Sequence, residues 1–284
     1  MPSSLVVTLR GRRGGSPARV ALLTAALVAV AGCGDSSTGP QATHTKKPTP
    51  VDVSALVTAA TGSSYNGVAR SLVFLPAFTM SPINTAACPY SSKDQSFVCT
   101  PVVQSGITIK TTYQLLDAGG HPLSTADALT LAAIRVITDV DGSTSLVSPT
   151  TGSLSTTTLH SHANNTLSGL LTDKRTLNGV TTERDTAASV FNGLATKLAV
   201  SATTTVANLD IPSAASAFPA SGSITSDAST SESLGNSTPF TSTSHVVITF
   251  SGTSTVTIAL TVGSSSQHCT LDLLHASGLS CTPG

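Results

Sequence analysis

The 284-residue chain has no tryptophan, three tyrosines and seven phenylalanines, and only a tenth of its residues are charged. So few aromatics argue against a stacking platform for sugars or nucleobases, since such sites present Trp, Tyr or Phe faces. Four of the 14 basic residues (Arg10, Arg12, Arg13 and Arg19) fall in the first 32 residues, where no acidic residue occurs, leaving ten basic against 14 acidic residues beyond them. The basic footprint that phosphate binding needs is therefore missing, and no nucleic acid partner is expected. Low charge with moderate hydrophobicity also departs from the disorder signature of high net charge. No cofactor is expected.

The basic start leads into an apolar run from Val20 to Ala31, broken only by Thr24. At about a dozen residues it is short of the roughly 20 that span a bilayer, and it fits the core of a signal peptide. Val30-Ala31-Gly32-Cys33 resembles the lipobox of bacterial lipoproteins: an aliphatic residue, two small ones, then cysteine. The resemblance implies a leader over 1–32, lipidation of Cys33 and attachment to a membrane through that lipid. Arg12-Arg13 lacks the neighbours of a twin-arginine signal. Gly34 holds the place where an aspartate would resemble an inner-membrane retention signal, so the outer membrane or the cell surface is the expected location. Residues 33–50 are rich in Gly, Pro, Ser and Thr, have almost nothing to bury, and read as a lipidated cysteine followed by a tether.

Residues 51–284 read as a single Ser/Thr-rich β domain, since threonine and valine suit a pleated surface and serine and glycine its turns. Thr255 to Val262 alternates large aliphatics with Thr or Ala, the pattern of a strand with one buried face. His245–Phe250 precedes it across Ser251-Gly252-Thr253-Ser254, a hairpin connection. Gly106 to Asp117 puts Ile107, Ile109, Tyr113 and Leu115 on one side and ends in the turn Asp117-Ala118-Gly119-Gly120. Ala133–Thr138 is a further strand, with Asp139-Val140-Asp141-Gly142 read as its turn. Residues 153–163, 166–172, 176–185, 199–209 and 221–229 are strands of the same kind. Thr186–Lys197 and Asp52–Ala60 read as short helices, and Ser213–Ser237 as a low-complexity loop. The expected fold is all-β: an antiparallel meander forming a curved sheet, barrel or sandwich, with at most one or two short helices.

Four cysteines remain after Cys33, which allows three connectivities. Spacing favours the local pairs Cys88–Cys99 and Cys269–Cys281. A turn at Lys93-Asp94 sets Tyr90 against Phe97 and Cys88 against Cys99, and a turn at His275 sets Leu271 against Leu279 and Cys269 against Cys281. By the chain-entropy account each such loop contributes roughly 2–3 kcal/mol.

Signals for chemistry are sparse. His160 and His162, two apart on a strand, share a face and are the metal candidates, but no third ligand can be assigned and a solvated face with Thr156, Thr158 and Asn164 is the simpler reading. Asp139-Val140-Asp141-Gly142 resembles a calcium loop only in part, lacking the later oxygen ligands. Glu183 and Asp185 share a face, with Arg184 between them, and read as a charged outer face. There is no Gly-x-Ser-x-Gly elbow, no Ser-x-x-Lys motif and no recognisable Cys-His nucleophile, so no catalytic residue is assigned.

The block Cys88, Phe97-Val98-Cys99, Tyr113-Gln114-Leu115-Leu116-Asp117, Cys269-Thr270-Leu271-Asp272-Leu273 and Cys281 resembles uncharacterised bacterial envelope lipoproteins of similar length. That resemblance implies location and disulfides, and no activity. The expectation for function is a lipid-anchored envelope or surface protein with a non-enzymatic binding, adhesion or scaffold role, its protein or hydrophobic ligand unknown. The alternatives are a carrier of lipid or another hydrophobic ligand in a barrel or curved-sheet cavity, and a hydrolase whose site only the fold assembles.

Overall fold

The fold is given by a computed structural model that describes residues 87–127, 129–147, 154–191, 194–211, 218–273 and 280–284. The leader, Cys33, the tether and the expected helix Asp52–Ala60 lie outside the described residues, as does the His275 turn with Leu279.

Among the described residues the structure is all-β, with fourteen strands: β1 (Tyr90–Ser91), β2 (Ser96–Val98), β3 (Val102–Gln104), β4 (Ile107–Leu116), β5 (Pro122–Leu123), β6 (Ala133–Val147), β7 (Leu154–Ser168), β8 (Arg175–Phe191), β9 (Leu194–Ile211), β10 (Ser223–Leu234), β11 (Phe240–Thr249), β12 (Thr255–Val262), β13 (Ser265–Asp272) and β14 (Ser280–Pro283). They form one antiparallel meander in the order β1-β2-β4-β6-β7-β8-β9-β10-β11-β12-β13-β14, with β3 and β5 paired to β4. The sheet is open, with β1 and β14 at its ends, and does not close into a barrel.

Directly opposed residues share a face, so the registers define transverse rows. One row runs Phe97, Tyr113, Val136, Asn165, Gly179, Val206, Ile224, Ile248, Ile258, Cys269 and Cys281. Apart from Asn165 and Gly179 it is apolar, and most of it is buried. It marks the inner face. The row below it continues through Leu115, Ile134, Leu167, Leu177 and Leu209, each 1–2% exposed. The buried side chains form two clusters, one around Phe97, Tyr113 and Ile134, the other from Leu167 to Cys269, and Leu170 packs against both. Burial pushes the Tyr113 phenol above its ordinary pKa.

Both disulfides form as the spacing predicts, and each lies at one end of the sheet. Tyr90 opposes Phe97 with ring centroids 5.2 Å apart, edge to face. Around the Lys93-Asp94 turn, Ser91 Oγ donates to Asp94 Oδ2 at 2.7 Å and accepts from Asp94 N at 3.3 Å. The turn after β4 also matches: Asp117 accepts from the backbone N–H groups of His121 and Gly119, 2.8 Å each, and from the His121 ring, which together hold its carboxyl below the ordinary range.

Three local expectations are overturned. Thr186–Lys197 is no helix: Thr186 to Phe191 belong to β8 and Leu194 to Lys197 to β9, paired to each other. Asp139–Gly142 is no turn, because β6 runs through it to Val147. Gly142 adopts φ +149°, and a Cβ there would lie 2.2 Å from the carbonyl oxygen of Gly106, immediately before β4, so the glycine serves a close approach of β6 to the start of β4. Ser213–Ser237 is not a loop throughout, since Ser223–Leu234 form β10, paired on both sides. Its first part, 213–217, lies outside the described residues.

Candidate functional site

β6 to β10 are 12 to 18 residues long, and their apolar residues concentrate towards one end. From the Leu177 row, β8 extends on the order of 45 Å to Phe191, at about 3.3 Å per residue. Over that length the inner face mixes small or polar residues with half-buried aliphatics: one row runs Val140, Ser161, Glu183, Ala202, Ala228, Ser244 and Val262, and Leu159, Leu198 and Val200 lie on the same face beyond it. The outer face carries hydroxyls, carboxylates and imidazoles.

One outer row crosses most of the sheet: Lys110, Asp139, His162, Thr182, Thr203, Asp227, His245, Thr261 and Ser266. Within it, Asp139 Oδ1 lies 2.7 Å from Nδ1 of His162, and Asp227 Oδ1 lies 2.6 Å from Nδ1 of His245. One row further from the core, Asp141 Oδ1 lies 2.7 Å from Nδ1 of His160. Three times, then, an aspartate and a histidine meet across adjacent strands on one face. A carboxylate at Nδ1 holds a proton there and turns the other ring nitrogen, Nε2, into the free acceptor. All six side chains are about half exposed or more, so these contacts are solvent-screened and contribute little to stability.

His160 and His162 therefore share a face, as their spacing requires, and the two aspartates once read as a turn are their partners. No group of three or more His, Cys, Asp or Glu side chains suited to a metal gathers among the described residues. Glu183 and Asp185 share a face as well, but it is the inner one, because Leu177 fixes the alternation of β8; Arg184 alone points outward and is exposed. Asp185 Oδ1 accepts from the backbone N–H of His160 at 3.2 Å, where the β7–β8 ladder is interrupted.

An open depression of about 440 Å³ lies over β9 to β12 on the outer face, where Ser201, Thr203, Asp227, Ser229, Thr243, His245 and Thr261 line it. A second, of about 320 Å³, is lined by residues that include Thr249, Thr257, His268, Thr270 and Thr282. The His245–Asp227 pair has the first two members of a nucleophile-activating relay, which would need a hydroxyl on Nε2. Among the described hydrogen bonds no hydroxyl takes that place, and Thr261 Oγ1 pairs with Ser266 Oγ at 3.4 Å. The His245–Asp227 pair was invisible in the sequence, since the two residues are 18 apart on different strands; the one available signal was their place in alternating runs. Comparison with protein-family models, with curated proteins and with solved structures gives no match.

Proposed function

We propose that the chain is a lipid-anchored envelope or surface protein, acylated on Cys33, that displays its sheet outside the cytoplasm in a non-enzymatic binding or scaffold role. The observation that carries this reading is the sheet itself. It runs far past its apolar core, and the surplus is a broad outer face of Ser, Thr and Asp–His pairs with shallow depressions, suited to recognition through hydrogen bonds. The carrier reading has less support, because the buried apolar side chains of the inner face are packed against one another in two clusters and the open sheet encloses no barrel cavity. The hydrolase reading rests on the His245–Asp227 pair alone.

The anchor is tested by growing the native host with an alkyne-tagged fatty acid. We expect label on the chain, and none on Cys33→Ser; an unlabelled wild-type chain, or a labelled Cys33→Ser chain, would refute acylation of that residue. The binding role is tested by native mass spectrometry of the full mature chain with organic extraction. An empty chain is expected, whereas a stoichiometric lipid would place the carrier reading first.

A further inference from the structure

His160 and His162 occupy neighbouring rows of the outer face, and β6 holds both in the same way. Asp141 Oδ1 lies 2.7 Å from Nδ1 of His160, and Asp139 Oδ1 lies 2.7 Å from Nδ1 of His162. An ionised carboxylate only accepts, so the neutral form of each ring carries its proton on Nδ1 and its lone pair on Nε2. The two side chains are 57% and 54% exposed. The sheet thus offers solvent two imidazoles side by side, each backed by a carboxylate. That backing is the outer shell of most metal-bound histidines, where it fixes the tautomer and makes the ligating nitrogen more basic. His245 has the same backing from Asp227 at 2.6 Å, but its neighbours two residues along β11 are Thr243 and Val247, so it stands alone.

Residues two apart on a strand are separated by about 6.7 Å. Two imidazole nitrogens bound to one ion, each at about 2.1 Å in tetrahedral geometry, are about 3.4 Å apart. Closing that difference takes a lean of about 20° from each side chain, which the broad χ2 torsion of an exposed histidine allows. The backbone has slack at the same place. The β7–β8 ladder pairs every residue of β7 from Ser155 to Ser168 except Leu159 and His160, and the His160 N–H donates to the Asp185 side chain, Oδ1, at 3.2 Å. Such local breaks in a ladder re-aim the side chains beside them.

The charge around the two rings is balanced. Lys110 opposes Asp139, and Arg184 lies on the outer face of β8 beside the break, two cations against two aspartates, while Thr182 opposes His162. A dication is therefore held by coordination and not by a pool of negative charge, and imidazole nitrogen favours late transition metals over calcium or magnesium, which take oxygen ligands. We propose that His160 and His162 chelate one such ion through their Nε2 atoms, Cu²⁺ ahead of Ni²⁺ and Zn²⁺, with water completing the coordination and Asp139 and Asp141 as positioning residues. Two protein ligands suffice for this, in keeping with the lack of a three-residue cluster among the described residues. The site is independent of the anchor on Cys33.

The test titrates Cu²⁺ into residues 33–284 carrying Cys33→Ser, which removes the one cysteine outside the two disulfides, with calorimetry near neutral pH as the readout. We expect a tight event of one ion per chain, and an electron paramagnetic resonance spectrum split by two equivalent nitrogens. His160→Ala and His162→Ala should each abolish that event as fully as the double variant does, because one imidazole alone forms no chelate. His245→Ala, which removes a carboxylate-backed histidine with no neighbour, should leave it unchanged. Asp139→Asn/Asp141→Asn should weaken it on the order of 10- to 100-fold, and ¹⁵N NMR of the two imidazoles should show the Nδ1–H tautomer in the parent chain and a mixture in this variant. All these side chains are exposed, so circular dichroism and Tm separate lost binding from lost folding. No tight event, or an event that survives in the double histidine variant, would overturn the proposal. So would single variants that halve the capacity without abolishing it, since the two rings would then be separate monodentate sites. Unchanged affinity in the asparagine variant would overturn the role of the aspartates.

Discussion

Asn165 sits in the middle of the buried row, 6% exposed, with valines, isoleucines and two aromatics, Phe97 and Tyr113, along the same line. The residue opposite it on β8 is Gly179, and a Cβ built there would lie 2.0 Å from Asn165 Oδ1. The glycine is thus the space in which the amide fits. The same neighbourhood holds the one register irregularity between β8 and β9, where Leu177 opposes Leu209 but Gly179 opposes Val206, so β9 carries one extra residue. Asn208 fills that bulge at φ +50°, a conformation asparagine tolerates, and its backbone N–H donates to Asn178 Oδ1 at 2.7 Å. Gly179→Ala is predicted to destabilise the fold by about 1–3 kcal/mol, the usual cost of overpacking a filled core. Asn165→Ala should also destabilise, but the double variant should lose less than the two single losses combined, because the clash disappears with the amide. Urea unfolding of the four proteins gives the coupling directly. Simple additivity would show that Gly179 is required for the bulge and not for Asn165.

At the scale of the element, each end of the sheet is held by a short strand with little of its own to bury. β14 has four residues, all exposed, and pairs only with β13. What fixes it is the bond from Cys281 to Cys269, which is 3% exposed and part of the main apolar cluster. Cys269→Ser/Cys281→Ser is therefore predicted to lower stability by roughly 2–3 kcal/mol and to abolish amide protection at 280–283, while β12 and its pairing to β11 stay protected. Hydrogen exchange by NMR checks it, and retained protection at β14 would show that the strand holds without the bond. Both disulfides were legible because a twelve-residue hairpin leaves its cysteines little choice of partner. Strands with strict alternation, such as β12, were legible for the same local reason. What misled the reading was polarity and composition. Ala187-Ala188 and Leu194-Ala195 suggested a helix, although Asn192-Gly193 between them is the strongest short hairpin signal. Asp139, Asp141 and Gly142 looked like a turn because two aspartates and a glycine usually are one, yet their partners His162 and His160 lie over twenty and nearly twenty residues downstream. A strand over 221–229 was legible, but β10 runs on to Leu234 through a stretch read as low-complexity loop, because β9 and β11 pair with it on either side and its exposed length needs no apolar face.

For the molecule as a whole, the question is whether two apolar clusters on one sheet make one folding unit or two. Neighbours in sequence are neighbours in space along nearly the whole meander, so most pairings are local and nothing in the topology alone forces the halves to unfold together. Two features join them. The β6–β7 ladder runs fifteen residue pairs without a break, and Leu170, in the turn before β8, packs against both clusters while its backbone N–H donates to the carbonyl of Ala132 at 3.0 Å. Ala132 immediately precedes β6, so this turn ties the second cluster to the base of the first. The chain should then unfold in a single transition. The aromatic distribution makes this measurable, since Tyr90 and Tyr113 lie in the first cluster and no tyrosine or tryptophan lies in the second. With the third tyrosine, Tyr65, which lies outside the described residues, replaced by Phe in every chain compared, tyrosine fluorescence reports one half and NMR of Ile248, Ile258 and Leu260 methyl groups the other. We predict coincident thermal curves for the wild-type chain, and for Leu170→Ala curves that remain coincident but shift down together by about 1–2 kcal/mol, a fraction of the full cost of truncating a buried leucine because Leu170 is only partly buried. Were the Leu170→Ala curves to separate, with the tyrosine signal moving apart from the methyl signals, this side chain and not the ladder would be the link between the halves. Were the wild-type curves already apart, the sheet would be two cooperative units that share a continuous ladder without sharing stability.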